Sequence, residues 1–347
     1  MKYETVGVVG GGKFGLALAK LLAHNADVIL YSRRSELIEE INKTHAFKGI
    51  ALPKNVRATT SLEEICMKCT LIFPVISSAY FREVIKAMSP YISPRHILIH
   101  GTKGFDLLPS EINGNHMSME NIRTSYIKTM SDVILEETDA IRIGSLCGPN
   151  LATEILDNLP TATVIASEFD EVIMTGKKWL AGKTFFVFGS HDLKGAELAG
   201  AFKNVIALAS GLVGGKQLGK NAQAMLITRG LREMILLGEL MGSSSKAFLG
   251  TAGIGDLIAT CTSKKSRNYS FGMRISQGET VDDILNSQDE VVEGVRSLKI
   301  TYHLIKKFGL HAPIISAIYD IIYLGKDIER SVYQLMKYPI ASDVDFV

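Results

Sequence analysis

The feature that most constrains this chain is the run Gly10-Gly11-Gly12-Lys13-Phe14-Gly15 near its beginning. Before it lies the apolar stretch Thr5–Gly10, which reads as a short buried strand. After it comes Lys13–His24, whose apolar residues recur at helical spacing. A strand that turns through glycines into a helix meets three demands at once. One glycine makes the tight turn, one lets the backbone approach a pyrophosphate, and one lets helix pack closely on strand. Phosphates then lie against free N–H groups at the positive end of the helix dipole. Gly10, Gly12 and Gly15 therefore mark a candidate dinucleotide site, to which Lys13 can add charge. The spacing alone would also suit a glycine turn that binds nothing. The flanking strand and helix, with a further strand beyond, favour the binding site.

That further strand, Asp27–Tyr31, does not end in the acidic residue that binds the ribose 2′-hydroxyl of NAD. It runs into Ser32-Arg33-Arg34. An arginine at this place can pair with a 2′-phosphate or stack on adenine. The expected cofactor is therefore NADP or NAD, with NADP favoured, held in part by Arg33 and Arg34. The same arginines also read as a solvated pair closing a strand.

Alternation continues through the helix-like Glu36–Asn42 and strand candidates Thr70–Pro74, His96–Ile99, Ile141–Cys147, Thr163–Ala166 and Thr184–Val187. Such alternation predicts a parallel sheet with helices on both faces. From Lys194 onward the pattern is helical, as in Gly195–Gly211, Asn221–Met241, Gly250–Thr260 and Ser297–Phe308. The expected architecture is α/β: an N-terminal Rossmann-type doubly wound parallel sheet over residues 1–190 and an all-α domain over 191–347. A length of 347 residues suits two domains. The segment Gly114–Met130, with Met117, Met119 and Met130 among polar residues, fits neither pattern and reads as an insertion or a partner contact.

Hydrophobic residues make up 46% of the chain and charged residues 21%, too apolar for a disordered polymer. With 38 basic and 36 acidic residues the net charge is +2, which gives no bulk attraction to nucleic acid or an anionic membrane. No secretory signal stands out, and no uninterrupted apolar run reaches the roughly 18 residues of a spanning helix. The expected location is the cytoplasm, with no membrane insertion and no nucleic-acid partner; a homodimer is left open. Cys66 and Cys69 form a C-x-x-C, but no two further ligands stand at zinc spacing. The pair ends the helix-like Leu62–Lys68 rather than starting a helix. They read as bystander thiols, and no metal is expected.

Three more segments carry chemistry. Gly101-Thr102-Lys103-Gly104 follows a strand, on the side where parallel sheets bind ligands. Cys147-Gly148-Pro149-Asn150 also follows a strand and makes a tight turn. The stretch Glu197–Val205 places Lys203 among small residues, where burial disfavours its charge and suits it to proton transfer near neutral pH. Farther on stand Asp256, able to hold a lysine, and Ser266-Arg267-Asn268, whose guanidinium fork and amide suit a phosphate. Taken singly, Lys203 also reads as a snorkelling surface lysine, Arg267 and Asn268 as a solvated loop, and Lys103 as part of a strand-end turn.

Taken together, these segments resemble the bacterial NAD(P)-dependent glycerol-3-phosphate dehydrogenases. The stretches that carry the resemblance are GGGKFGLALA (10–19), GTKGF (101–105), CGPNLATEI (147–155), ELAGAFKNVIALASG (197–211), NAQAMLITRGLREM (221–234), GTAGIGDLIATCTS (250–263), SRNYSFG (266–272) and VVEGV (291–295). The resemblance runs from the first strand to about Ile315. It implies reduction of dihydroxyacetone phosphate to sn-glycerol 3-phosphate, a step that supplies glycerophospholipid synthesis. It also implies roles for residues: Lys203 as general acid/base, Lys103 as a second lysine near substrate and nicotinamide, and Asp256 as the group orienting Lys203. Gly148, Asn150, Asn204, Ser266, Arg267 and Asn268 would touch substrate. Lys13, Phe14, Arg33, Lys103, Ala152, Arg267, Val291 and Glu293 would touch the dinucleotide. Cofactor residues then come from the first domain and acid and phosphate residues mostly from the second, so closure between them is expected.

Departures fall at contact positions. Lys13 and Phe14 stand where the family has Ser and Trp or Tyr, and Asn150 where it has Ser or Thr. Phe47–Lys54 is slightly shortened. Two other readings remain at this level: a related dehydrogenase whose Arg267 binds a hydroxy-acid carboxylate, and a dinucleotide sensor without catalysis. The pairing of Lys103 and Lys203 with Asp256 argues against a sensor.

Overall fold

A computed structural model describes residues 4–107, 123–287 and 292–337. The chain divides into two compact units, one of Met1–Asp106 with Thr129–Leu193, the other of Leu107–Lys128 with Lys194–Val347.

The first unit is built on an eight-stranded sheet. Its strands are β1 (Thr5–Val9), β2 (Asp27–Tyr31), β3 (Val56–Thr59), β4 (Leu71–Pro74), β5 (Ile97–His100), β6 (Arg142–Cys147), β7 (Thr161–Ala166) and β8 (Phe185–Ser190). In space the order is β8-β7-β6-β5-β4-β1-β2-β3. The first six strands thus lie 3-2-1-4-5-6, the doubly wound order whose reversal lies between β1 and β4. These six are all parallel. The sheet is parallel as expected except at one junction, where β6 and β7 pair antiparallel, Cys147 opposite Val164. The connection between them carries only a five-residue helix, Ala152–Leu156. At about 1.5 Å per residue it cannot run back along a strand of about 20 Å.

Strand residues alternate between two covered faces. Val6, Val8, Leu30, Phe73 and Ile99 join a cluster with Leu16, Leu18 and Val172, from the helices α1 (Lys13–Leu22) and α7 (Asp170–Leu180). Val9, Ile29, Ile72 and Leu98 face a second cluster with Ile65, Phe81 and Val133, from α3 (Leu62–Lys68), α4 (Ser78–Met88) and α5 (Met130–Glu137). The near-continuous apolar strands follow from burial on both sides. The remaining α-helices described in this unit are α2 (Ser35–Thr44) and α6 (Ala152–Leu156). Strand β3 escapes the apolar-run criterion because it is an edge strand of four residues with an exposed Arg57. Of the segment Gly114–Met130, residues 114–122 lie outside the described ones; Met130 opens α5 behind a Thr129–Asp132 capping box.

The second unit is helical: α8 (Leu193–Gly215), α9 (Lys220–Leu240), α10 (Asp256–Thr262), α11 (Arg267–Ser276), α12 (Val281–Asn286), α13 (Glu293–Phe308), α14 (Pro313–Leu324) and α15 (Ile328–Met336). The stretch Gly250–Thr260, expected as one helix, is a π-helical turn at Thr251–Gly255 leading into α10. A Cβ at Gly253 would stand 2.2 Å from the Phe248 carbonyl oxygen, so only glycine lets the backbone close in this way.

Helix α8 qualifies the expectation about apolar runs. Among the described residues it alone is long and apolar enough to cross a membrane by length and composition, with mean hydropathy 1.4. Yet 89% of that stretch is buried in the protein, as for a helix apolar on all sides at the centre of a core. Helix α14 starts with Pro313, and the buried Glu233 of α9 accepts its first-turn N–H groups from Ile314 (2.7 Å) and Ile315 (2.9 Å).

Candidate active site

The ends of the parallel strands collect the candidate residues of the first unit. Gly10 follows β1, Ser32 follows β2, Gly101 follows β5 and Gly148 follows β6, all along the carboxyl edge of the sheet. The three motif glycines differ in their surroundings. Gly10 has φ +137°, and a Cβ there would stand 2.5 Å from the Val75 carbonyl oxygen. A Cβ on Gly15 would meet the Gly10 carbonyl oxygen at 1.8 Å. Gly12 has nothing within 4 Å of its imagined Cβ. Turn, helix packing and open approach are thus distributed as a pyrophosphate cradle requires. Gly12 caps α1 without a side-chain hydrogen bond, and no acidic residue occupies the first turn, so the positive helix end stays available to an anion. Exposed Lys13 opens the helix, and Phe14 packs beside Gly101, where a Cβ would stand 2.9 Å from its ring.

The two arginines after β2 do different things. Arg34 donates to the Gly11 carbonyl and lies over the Phe47 ring at 5.3 Å. It braces the glycine loop. Arg33 projects outward, over the Tyr80 ring at 5.2 Å and 3.7 Å from Glu83. Ser32, where an acid would select NAD, is buried and accepts from the Arg34 N–H at 3.2 Å.

Lys103 donates to the Gly148 carbonyl at 2.7 Å, which brings the loops after β5 and β6 together. Gly148 has φ +103°, a conformation that favours glycine. Asn150 donates to Thr163 Oγ1 (2.9 Å) and the Cys147 carbonyl (3.3 Å), while its Oδ1 is buried without a partner. Ala152 opens α6 and packs, with Phe14, against the first apolar cluster.

In the second unit Lys203 is 5% exposed and Asp256 2%. Lys203 Nζ donates to Asp256 Oδ1 at 2.7 Å and to Thr260 Oγ1 at 2.6 Å, and the Thr260 hydroxyl stands 3.3 Å from the same carboxylate oxygen. Burial disfavours the ammonium, and the carboxylate beside it favours it, so the two effects oppose each other. Thr260 was not singled out from the sequence, although it stands four residues after Asp256, on the same face of α10.

Ser266 caps α11, its Oγ accepting from the Tyr269 N–H at 3.3 Å, and Arg267 is the exposed first residue of that ten-residue helix. Asn268 donates to Asn204 Oδ1 (2.8 Å) and accepts from the Gly294 N–H (2.9 Å), tying α8, α11 and the start of α13. Asn204 also donates to the Gly200 carbonyl at 3.3 Å. Glu293 is the first residue of α13, and Val291 lies outside the described residues.

The thiols of Cys66 and Cys69 are buried, and burial pushes both up to about 12, so neither is a ready nucleophile or ligand. Among the described residues no group of three or more His, Cys, Asp or Glu is placed to hold a metal.

Residues 5–173 match the family described as NAD-dependent glycerol-3-phosphate dehydrogenase N-terminus, and residues 192–333 the corresponding C-terminus. The chain is 37% identical to a glycerol-3-phosphate dehydrogenase (NAD(P)+) of Pseudomonas fluorescens, over 99% of this chain and 93% of that protein. It is 35% identical to one of Exiguobacterium, over 99% of this chain and 98% of the other. A crystal structure of the Coxiella burnetii glycerol-3-phosphate dehydrogenase superposes with TM-score 0.85 at 29% identity, covering 97% of this chain and all of that one.

Proposed function

Because this chain belongs to the NAD-dependent glycerol-3-phosphate dehydrogenase family, an oxidoreductase family that uses NAD(P), we propose that it reduces dihydroxyacetone phosphate to sn-glycerol 3-phosphate in the cytoplasm, supplying glycerophospholipid synthesis. The single observation that carries the reading is the buried Lys203–Asp256–Thr260 group, in a chain that also has an uncapped glycine loop.

Residues 1–190 hold the dinucleotide. Gly10, Gly12, Lys13 and Gly15 receive its pyrophosphate, Phe14 and Ala152 give apolar contact, and Arg33 adds a polar one, with Arg34 bracing the loop and Glu293, outside this range, as a further polar contact. When bound, the dinucleotide supplies the hydride. As the substrate carbonyl is reduced, negative charge grows on its oxygen. Lys203, held as an ammonium by Asp256, stabilises that charge and delivers the proton, then regains one from water. Thr260 and Asp256 fix the direction of Nζ. Lys103, tethered to Gly148, sets a second positive charge at the sheet edge.

The substrate phosphate is remote from the reacting carbon and serves orientation. The α11 N-terminus with Ser266, Arg267 and Asn268 suits it, since a helix start and a guanidinium fork both favour a dianion. Asn204 shapes this pocket through its bond to Asn268.

The test is Arg267→Ala assayed with dihydroxyacetone phosphate and with dihydroxyacetone. Loss of a charged hydrogen bond should raise KM for the phosphorylated substrate about tenfold or more. The non-phosphorylated one should be little affected. Equal loss on both would remove the phosphate role.

A further inference from the structure

Resting on the cofactor reading above, we propose that Glu83 sets the preference between NADPH and NADH, by competing with the 2′-phosphate for the Arg33 guanidinium. Three observations place these groups together. Tyr80 and Glu83 stand three residues apart on α4 and so share one face of it. Arg33 lies over the Tyr80 ring at 5.2 Å, with Glu83 3.7 Å from its Nη1. The Tyr31 hydroxyl, at the end of β2, is held above its ordinary value by burial, with the charge of Arg33 opposing the rise and that of Glu83 adding to it. In a doubly wound fold this end faces the adenosine ribose, where an acid selects the 2′-hydroxyl and an arginine accepts a 2′-phosphate.

Arg33 is the arginine free to do this. Arg34 is engaged with the Gly11 carbonyl and the Phe47 ring, and would release the loop if it turned to a phosphate. The Arg33–Glu83 pair is open to solvent, with side chains 56% and 70% exposed, so it is weak enough for a phosphate dianion to displace. A carboxylate beside the phosphate site also repels the dianion. NADH, which lacks the phosphate, meets neither effect. Glu83 is thus a specificity-determining residue acting through Arg33: it lowers the advantage of NADPH and lets one site serve both cofactors.

The experiment is calorimetric titration of wild type, Glu83→Gln, Arg33→Gln and the double variant with NADPH and with NADH, without substrate. Glu83→Gln should tighten NADPH about two- to fivefold, the range of an exposed ion pair, and leave NADH within about twofold. Arg33→Gln should weaken NADPH about tenfold or more relative to NADH. In the double variant the Glu83 effect should shrink to the part left by direct repulsion of the dianion. An unchanged NADPH-to-NADH ratio in Glu83→Gln, or an equal shift in the Arg33→Gln background, would overturn the proposal. Failure of wild type to bind either dinucleotide would instead overturn the cofactor reading.

Discussion

The glycine loop of the first unit and the lysine group of the second solve opposite problems. On the proposed reading, the loop meets negative charge mainly with backbone, a helix end with no side-chain cap and no acidic residue in its first turn, and Lys13 beside it. Its specificity is steric, written in where a Cβ has room and where it has none. The lysine group places a full charge inside a core helix and must neutralise it with a carboxylate at 2.7 Å and a hydroxyl at 2.6 Å. Damage to the first should therefore appear mainly as lost cofactor affinity, and damage to the second as lost turnover or lost fold.

Lys203→Ala should break the comparison most sharply. Turnover should fall about 10²–10⁴-fold, the usual scale for a general acid, while NADPH affinity measured by titration stays within about twofold. Turnover near wild type would remove Lys203 from the chemistry. Asp256→Asn comes next, because it leaves the buried ammonium without its counter-charge. Chemical denaturation should show a loss of about 3–5 kcal/mol, and a loss below about 1 kcal/mol would mean that the pair is not buried as described.

Two glycine variants sharpen the other side. Gly15→Ala forces a Cβ onto the Gly10 carbonyl oxygen, so it should cost about 1–3 kcal/mol of stability along with cofactor affinity. Gly12→Ala meets nothing in the protein, so its melting temperature should be unchanged while dinucleotide affinity falls. If both variants lost stability equally, the open approach at Gly12 would be wrong.

A separate test concerns pH. Burial pushes the Glu233 carboxyl up to about 8 from its ordinary 4.5, against the pull of the Ile314 and Ile315 N–H groups and Arg232. A group whose folded value is raised stabilises fully below its unfolded value and loses that stabilisation as pH rises through its folded one. Thermal midpoints should thus decline from about pH 5 to pH 8. In Glu233→Gln, which cannot titrate, the decline should flatten; an unaltered slope would assign it to other groups.

How much of this was legible in the sequence differs between the same two regions. The glycine loop declares itself by local spacing, since strand, turn and helix are contiguous from Thr5 to Leu22. Helices α9 and α13 follow from local pattern close to their observed bounds, and α8 from a long, largely apolar run. The Lys203 group joins residues 53 and 57 positions apart, and no local pattern links them. The surroundings of Lys203 singled it out and suggested Asp256 as a group to hold it, the resemblance to a family implied their roles, and Thr260 was missed. The antiparallel turn from β6 to β7 was hidden too, because strand direction depends on the length of the intervening helix and not on the strands. Likewise Arg33 and Arg34 look alike in sequence, and only their neighbours Tyr80, Glu83, Phe47 and Gly11 separate their tasks.

The central claim is that backbone cradle and buried lysine serve one reduction. Its most direct measurement is absorbance at the reduced-nicotinamide band with purified protein and NADPH or NADH. The account predicts oxidation that starts on addition of dihydroxyacetone phosphate and not on addition of a 2-oxo acid. No oxidation with dihydroxyacetone phosphate, or faster oxidation with the 2-oxo acid, would contradict it.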